Sequence, residues 1–181
     1  MNTRNLLTGF FLVVAAVTQG AIAVSSSVES SVTVLARGPA GLRIEGKSAT
    51  VSFEEDASAL TFKVPLAPIE TGIGLRDRHL REMLEAEKFP AAILRVPRSE
   101  LTFPKEREAA EGTARGELML HGRSRPVEVQ YRAERGADGI IRVRGSMKLD
   151  MRDFEIKSPS YLGVTVAPEV EVKAELAVEE R

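Results

Sequence analysis

The chain has 181 residues, 43% of them hydrophobic and 28% charged, with a formal net charge of −1 at pH 7. That length suits one domain with a real core, and the near-neutral balance argues against a nucleic-acid partner, whose phosphates require a basic surface. Without cysteine, and with only two histidines, the chain has no disulfide framework and no thiolate metal site.

The amino terminus reads as an address rather than part of a fold. Arg4 supplies a positive start, residues 6–17 (LLTGFFLVVAAV) carry no charge, and Ala21-Ile22-Ala23 offers small residues at alternate positions, as a signal peptidase requires. About a dozen apolar residues fall short of the ~20 that span a bilayer. Residues 1–23 are therefore expected to be a signal peptide cleaved near Ala23, with no stable transmembrane anchor and a periplasmic or secreted product. Cleavage removes Arg4 and no acid, taking the charge from −1 to −2. Residues 24–31 (VSSSVESS) are small and polar and read as a flexible leader. The remaining domain spans residues 32–181.

From there period-two alternation dominates. Leu60, Phe62, Val64 and Leu66 alternate with Thr61 and Lys63, and Val127, Val129, Tyr131 and Ala133 with Glu128, Gln130 and Arg132. Val143, Met147 and Leu149 oppose Arg142, Arg144 and Lys148, and Val170, Val172, Ala174, Leu176 and Val178 oppose Glu171, Lys173 and Glu175. One face is wet each time, which marks an antiparallel sheet with one buried face. Weaker strand signals lie at residues 32–36, 42–46, 50–53, 92–96, 100–103 and 116–121, separated by Gly- and Pro-rich turns such as Gly38-Pro39-Ala40-Gly41. Closure into a barrel would also remove exposed edges.

One segment departs from this rhythm. Residues 75–88 (LRDRHLREMLEAEK) place Leu80, Met83 and Leu84 on neighbouring helical turns, with Asp77 as the expected N-cap and Pro90 as the stop. A helix of two or three turns needs support from packing onto the sheet. It is expected near residues 76–88, led in by the Thr71-Gly72-Ile73-Gly74 bend.

This segment, with Thr71-Gly72, Arg76-Asp77-Arg78-His79-Leu80-Arg81 and Glu85-Ala86-Glu87-Lys88-Phe89-Pro90, resembles the signature of the YceI-like family. Residues 116–127 (GELMLHGRSRPV) are similar to that family's strand–turn–strand motif, and residues 149–156 (LDMRDFEI) to its arginine-aspartate-phenylalanine turn. The resemblance implies an exported, mainly β protein: an extended, lipocalin-like antiparallel β-barrel with one short α-helix, holding an isoprenoid-like or other long apolar lipid. It also implies pairing into homodimers, for which no diagnostic patch is visible. Where family members carry adjacent aromatics, this chain has Met83-Leu84-Glu85-Ala86.

Lining candidates come from the inward faces: Phe62, Val64, Leu118, Leu120, Val129, Tyr131, Met147, Leu149 and Val172. The helix and its flanks add Ile73, Leu80, Met83, Leu84 and Phe89. Arg76, Arg78 and His79 are candidates for contact with a polar headgroup. The competing reading is structural: Asp77 caps the helix and Arg76 pairs with a neighbouring carboxylate, which is preferred because such caps are common. In the later motif, Phe154 is expected to pack inward while Arg152 and Asp153 brace the turn. Cavity-lining and core-filling residues look alike in sequence, so a filled structural or interaction barrel stays open beside the lipid binder.

An enzyme is not expected. His79 and His121 lie near no Gly-x-Ser-x-Gly turn, no His-x-x-x-His pair exists for zinc, and no phosphate-cradling glycine loop precedes a helix. No cofactor or metal is expected.

Overall fold

In the computed structural model the described residues are 24–25, 29–161 and 164–179. The expected signal peptide and residues 26–28 of the leader lie outside them. The described residues form a ten-stranded antiparallel sheet of order β1-β4-β5-β6-β7-β8-β9-β12-β2-β3 and a two-stranded ribbon of β10 (Ser160–Tyr161) and β11 (Val164–Thr165). The strands of the large sheet are β1 (Val24–Ser25), β2 (Glu29–Arg37), β3 (Arg43–Ser48), β4 (Ser52–Glu55), β5 (Ala59–Pro65), β6 (Ala91–Pro97), β7 (Ala109–Leu120), β8 (Arg123–Arg135), β9 (Ile140–Asp150) and β12 (Glu169–Glu179). The mainly β, antiparallel architecture is the one the alternation indicates, and its lipocalin-like curl is the one the resemblance implies.

Register keeps every apolar face inward. Val172 pairs with Met147 on one side and Val34 on the other. Phe62 pairs with Leu94 and Phe53, whose ring centroid is 5.3 Å away. A two-residue turn joins β7 to β8, with His121 (φ 52) and Gly122 (φ 70) both left-handed, the geometry that matches the twist of paired strands. A Cβ at Gly122 would lie 2.6 Å from Phe89, so this turn accepts only glycine.

Hydrogen bonding does not close the sheet into a full barrel. β3 and β4 diverge after a three-residue link, and the seam is bridged only where Lys47 and Glu70 exchange backbone hydrogen bonds of 2.8 and 2.9 Å. Apolar side chains complete the closure. Gly46 faces Ile69, Thr71 and Leu80 so closely that an added Cβ would sit 3.0 Å from Ile69.

Three sequence expectations are corrected here. The helix α1 runs Gly74–Met83 rather than over 76–88, because Glu85 adopts φ 45 and ends it. Ala86 N donates to Arg81 O and Glu85 N to Glu82 O, the paired bonds of a Schellman stop, here with Glu in the place usually held by Gly. Asp77 is not the N-cap: Ile73 holds that position, and Asp77 lies within the first turn. Residues 100–103 are not a strand. Bracketed by Pro97 and Pro104, they leave a 3₁₀ turn, η2 (Arg98–Glu100), and cross the barrel end instead of pairing. In addition, β2 begins at Glu29, three residues before the expected start.

The solid part of the core lies at one end of the barrel, here the helix end. There Leu66, Ile69, Leu84, Met151, Phe154, Ile156 and Val170 pack together with Leu118 and Leu149. Phe154 belongs to a 3₁₀ turn, η3 (Met151–Phe154), capped by Asp150, whose carboxylate accepts from Arg152 N at 2.9 Å and also pairs with the Arg152 guanidinium. Phe154, at 1% exposure, does pack inward as expected, but Arg152 braces its turn through Asp150 rather than with Asp153. Phe154→Ala should therefore cost about 3–5 kcal/mol in urea unfolding, whereas Met147→Ala, at a half-buried side chain that packs on the plug from one side and faces the cavity on the other, should cost less than the usual ~2–5 kcal/mol for a core methionine.

Candidate functional site

Between this plug and the opposite end the sheet encloses a cavity of 1520 Å³. Ordinary small-molecule pockets occupy about 300–1,000 Å³, so this space suits something longer. Its middle is lined by Val34, Phe62, Val64, Leu94, Leu118, Val129, Met147 and Val172, with no polar side chain among them. The interior is hollow, and the filled-barrel alternative does not describe it.

Polar groups gather at the two ends. At the helix end Thr71, Arg76, His79, Lys157, Ser158 and Ser160 reach the cavity; at the far end Glu55, Arg98 and Thr102 do. The far end is crossed by residues 101–104. Thr102 N donates to the Tyr131 hydroxyl at 2.7 Å, and the Arg98 guanidinium lies 4.4 Å from the centre of the Phe103 ring. Arg98 also pairs with Glu55. That strap replaces the expected strand and closes the far end with side chains the alternation could not reveal.

Among the residues expected inside, Phe62, Val64, Ile73, Leu80, Met83, Leu84, Leu118, Leu120, Val129, Tyr131, Met147, Leu149 and Val172 all line the cavity. Phe89 does not. Pro90 leads directly into β6, and Phe89 is left over the β7–β8 turn, with its ring against His121 (centroids 5.2 Å) and Lys88 above it. Leu84 has a double role: it touches the cavity yet is only 8% exposed and belongs to the plug. Missed lining residues include Val32, Ala36, Ile44 and Ala174, whose own period-two spacing could have exposed them, and Lys157 to Ser160, which carry no such signal.

The three headgroup candidates separate. Arg76 and His79 line the cavity. Arg78 points away and lies 3.9 Å from Glu82 on the next helical turn. Among the described residues Arg76 makes no ion pair with a carboxylate, unlike the structural reading, though its charge helps hold the Asp77 carboxyl ionised.

Asp77 anchors the helix by another route. Its Oδ1 accepts from Thr71 N at 2.7 Å and Thr71 Oγ1 at 2.5 Å, tying the helix to the Thr71–Gly74 bend, where Gly72 has φ 78. At the other end of the helix, His121 Nδ1 donates to Phe154 O at 2.9 Å while Nε2 faces Glu85 Oε1 at 3.3 Å. The helix thus lies across the barrel end, fastened at both ends. The Thr71 hydrogen bonds, with Arg81 and Arg76 nearby, hold the Asp77 carboxyl below the usual carboxylate range. That stabilisation is complete above the unfolded value of about 3.9 and is lost as pH falls through the lowered folded value. Thermal melts should therefore show stability falling below about pH 4, and Asp77→Asn should make that fall smaller. An identical fall in both proteins would contradict the anchor.

A family model for the YceI-like domain matches residues 20–178. No curated protein sequence matches. Among solved structures, a polyisoprenoid binding domain from Saccharophagus degradans is similar with a TM-score of 0.75 at 16% identity, covering 87% of this chain and 98% of that one. BcnA of Burkholderia cenocepacia has a TM-score of 0.66 at 15% identity, covering 82% and 95%. The Campylobacter jejuni YCEI protein has a TM-score of 0.51 at 16% identity, covering 100% and 92%. At these identities the likeness concerns the fold, and with the sequence match over residues 20–178 the chain belongs to the YceI-like family.

Proposed function

We propose that this protein is an exported lipid-binding protein that holds a long isoprenoid-like chain inside its barrel, as a carrier or for sequestration. The observation that carries this reading is a 1520 Å³ cavity with no polar side chain along its middle. Each buried methylene contributes about 0.8 kcal/mol, so ten contribute roughly 8 kcal/mol before ordering costs. Affinity can come from length alone, and the few polar groups at the helix end would meet a headgroup. The similar Saccharophagus degradans domain is described as polyisoprenoid-binding, which favours the same ligand class. Export rests on the charged, apolar and small-residue pattern of residues 1–23.

A binding role rather than catalysis fits the two histidines. His121 Nδ1 is committed to Phe154 O, its Nε2 is buried 3.3 Å from Glu85 without a hydrogen-bond partner among the described residues, and His79 stands at an exposed rim. Among the described residues no helix is long and apolar enough to cross a membrane.

Organic extraction of the purified protein, followed by mass spectrometry, should release a lipid with isoprenoid fragments. A protein that yields none, and takes up no polyprenol from detergent micelles, would overturn the reading. Met147→Lys places a charge halfway along the apolar wall and should lower lipid content at least about tenfold while circular dichroism stays unchanged. Arg76→Ala should keep its melting temperature and lose affinity for lipids with an anionic or polar headgroup. Full retention there would leave Arg76 only its electrostatic influence on Asp77.

A further inference from the structure

Five large apolar side chains are exposed on the described surface, and three of them stand at one place. Leu42, Ile73 and Leu75 are 41%, 50% and 57% exposed, and all three line the rim of the cavity at the helix end. Leu42 comes from the β2–β3 turn, and Ile73 and Leu75 from the entrance to α1. Residues 157–160 complete the rim: Val166 N donates to Pro159 O and Ala167 N to Arg37 O, which sets this loop beside the β2–β3 turn. Phe103 and Met119 lie elsewhere, Phe103 on the strap at the far end and Met119 on the outer face of β7.

Charge at this rim is unbalanced although the whole chain is near neutral. Arg43, Arg76 and Lys157 make no ion pair with a carboxylate among the described residues. Of the acids nearby, Asp77 is engaged with Thr71, Glu82 with Arg78 at 3.9 Å and Glu45 with Lys47 at 3.5 Å, whereas the exposed Glu70 beside Thr71 makes no ion pair among the described residues, leaving three cations against one acid. Aliphatic tips surrounded by uncompensated cations are the pattern by which a protein sits in the interface of an anionic bilayer, tips among the acyl chains and cations at the headgroups.

We infer that this rim docks onto a lipid surface with anionic headgroups, with the cavity mouth held against the bilayer. The surface is continuous with the apolar interior, so a hydrocarbon chain could pass between bilayer and barrel without crossing water. The inference extends the lipid-binding reading, yet its test does not depend on it: a barrel that yields no lipid on extraction could still dock, and a loaded one could fail to.

Because the chain has no cysteine, single-cysteine variants report position directly. Leu42→Cys, Ile73→Cys, Leu75→Cys, Phe103→Cys and Met119→Cys of the full chain would each carry an environment-sensitive nitrobenzoxadiazole label. All five sites are exposed, so labelling leaves the core intact. Vesicles of phosphatidylethanolamine and phosphatidylglycerol should shift the emission of the first three labels to the blue and leave Phe103→Cys and Met119→Cys unchanged. Adding Arg43→Ala and Lys157→Ala to Leu75→Cys should weaken the vesicle response about tenfold or more, given the attraction of each basic side chain to an anionic surface. Silence at the three rim positions, or an equal shift at all five, overturns the docking. An equal response to pure phosphatidylcholine vesicles overturns the role of the cations.

Discussion

A hollow barrel must be stabilised by something other than its interior. Side chains facing empty space lose the dispersion contacts that a close-packed core supplies, and away from the helix end the packing is a smaller cluster of Val32, Val51 and Leu176 with Phe62, Val64 and Val143 against it. The packing concentrates at the helix end, around Phe154, with Leu66, Ile69, Leu84, Met151 and Ile156. Everything else in the molecule depends on that plug. It fixes the 3₁₀ turn after β9, provides the floor against which α1 rests, and receives His121 from the β7–β8 turn through the Phe154 carbonyl.

The seam has the same logic. The sheet ends in β3 on one side and in β4 with the two-residue β1 on the other, without a ladder between the two sides, leaving edges that would otherwise invite pairing with another chain. Residues 66–73 cover one edge with two backbone hydrogen bonds at Lys47, and Ile69, Thr71 and Leu80 approach Gly46. Helix, bend and seam are therefore one unit. Asp77 holds it on the Thr71 side, and the Schellman stop at Glu85 holds it on the other. The cavity mouth lies against this unit, which is held by a few polar contacts as well as by packing.

The wall separates its chemistry along its length. Polar side chains stand at the ends and aliphatic ones between them, an arrangement matched by a molecule with a long apolar body and a small polar head. Arg76 and His79 reach the cavity from the helix, and Lys157 and Ser158 from the facing loop.

Much of this was legible in the linear pattern. Alternation from β5 to β12 told which faces turn inward, because side chains in a strand must point to opposite sides. Thirteen of the fourteen apolar residues chosen on that basis, or on helical spacing, line the cavity. Local patterning could not say whether the inward faces meet or stand apart, since Leu and Val look the same against a neighbour or a void. That depends on how far the sheet curls before its edges meet, which is a property of all the strands together. Likewise Phe89, Arg78 and the 101–104 strap were decided by distant partners: the His121–Gly122 turn, Glu82 and the Tyr131 hydroxyl. Short-range spacing sets the direction of a side chain, and only long-range contact sets what it meets.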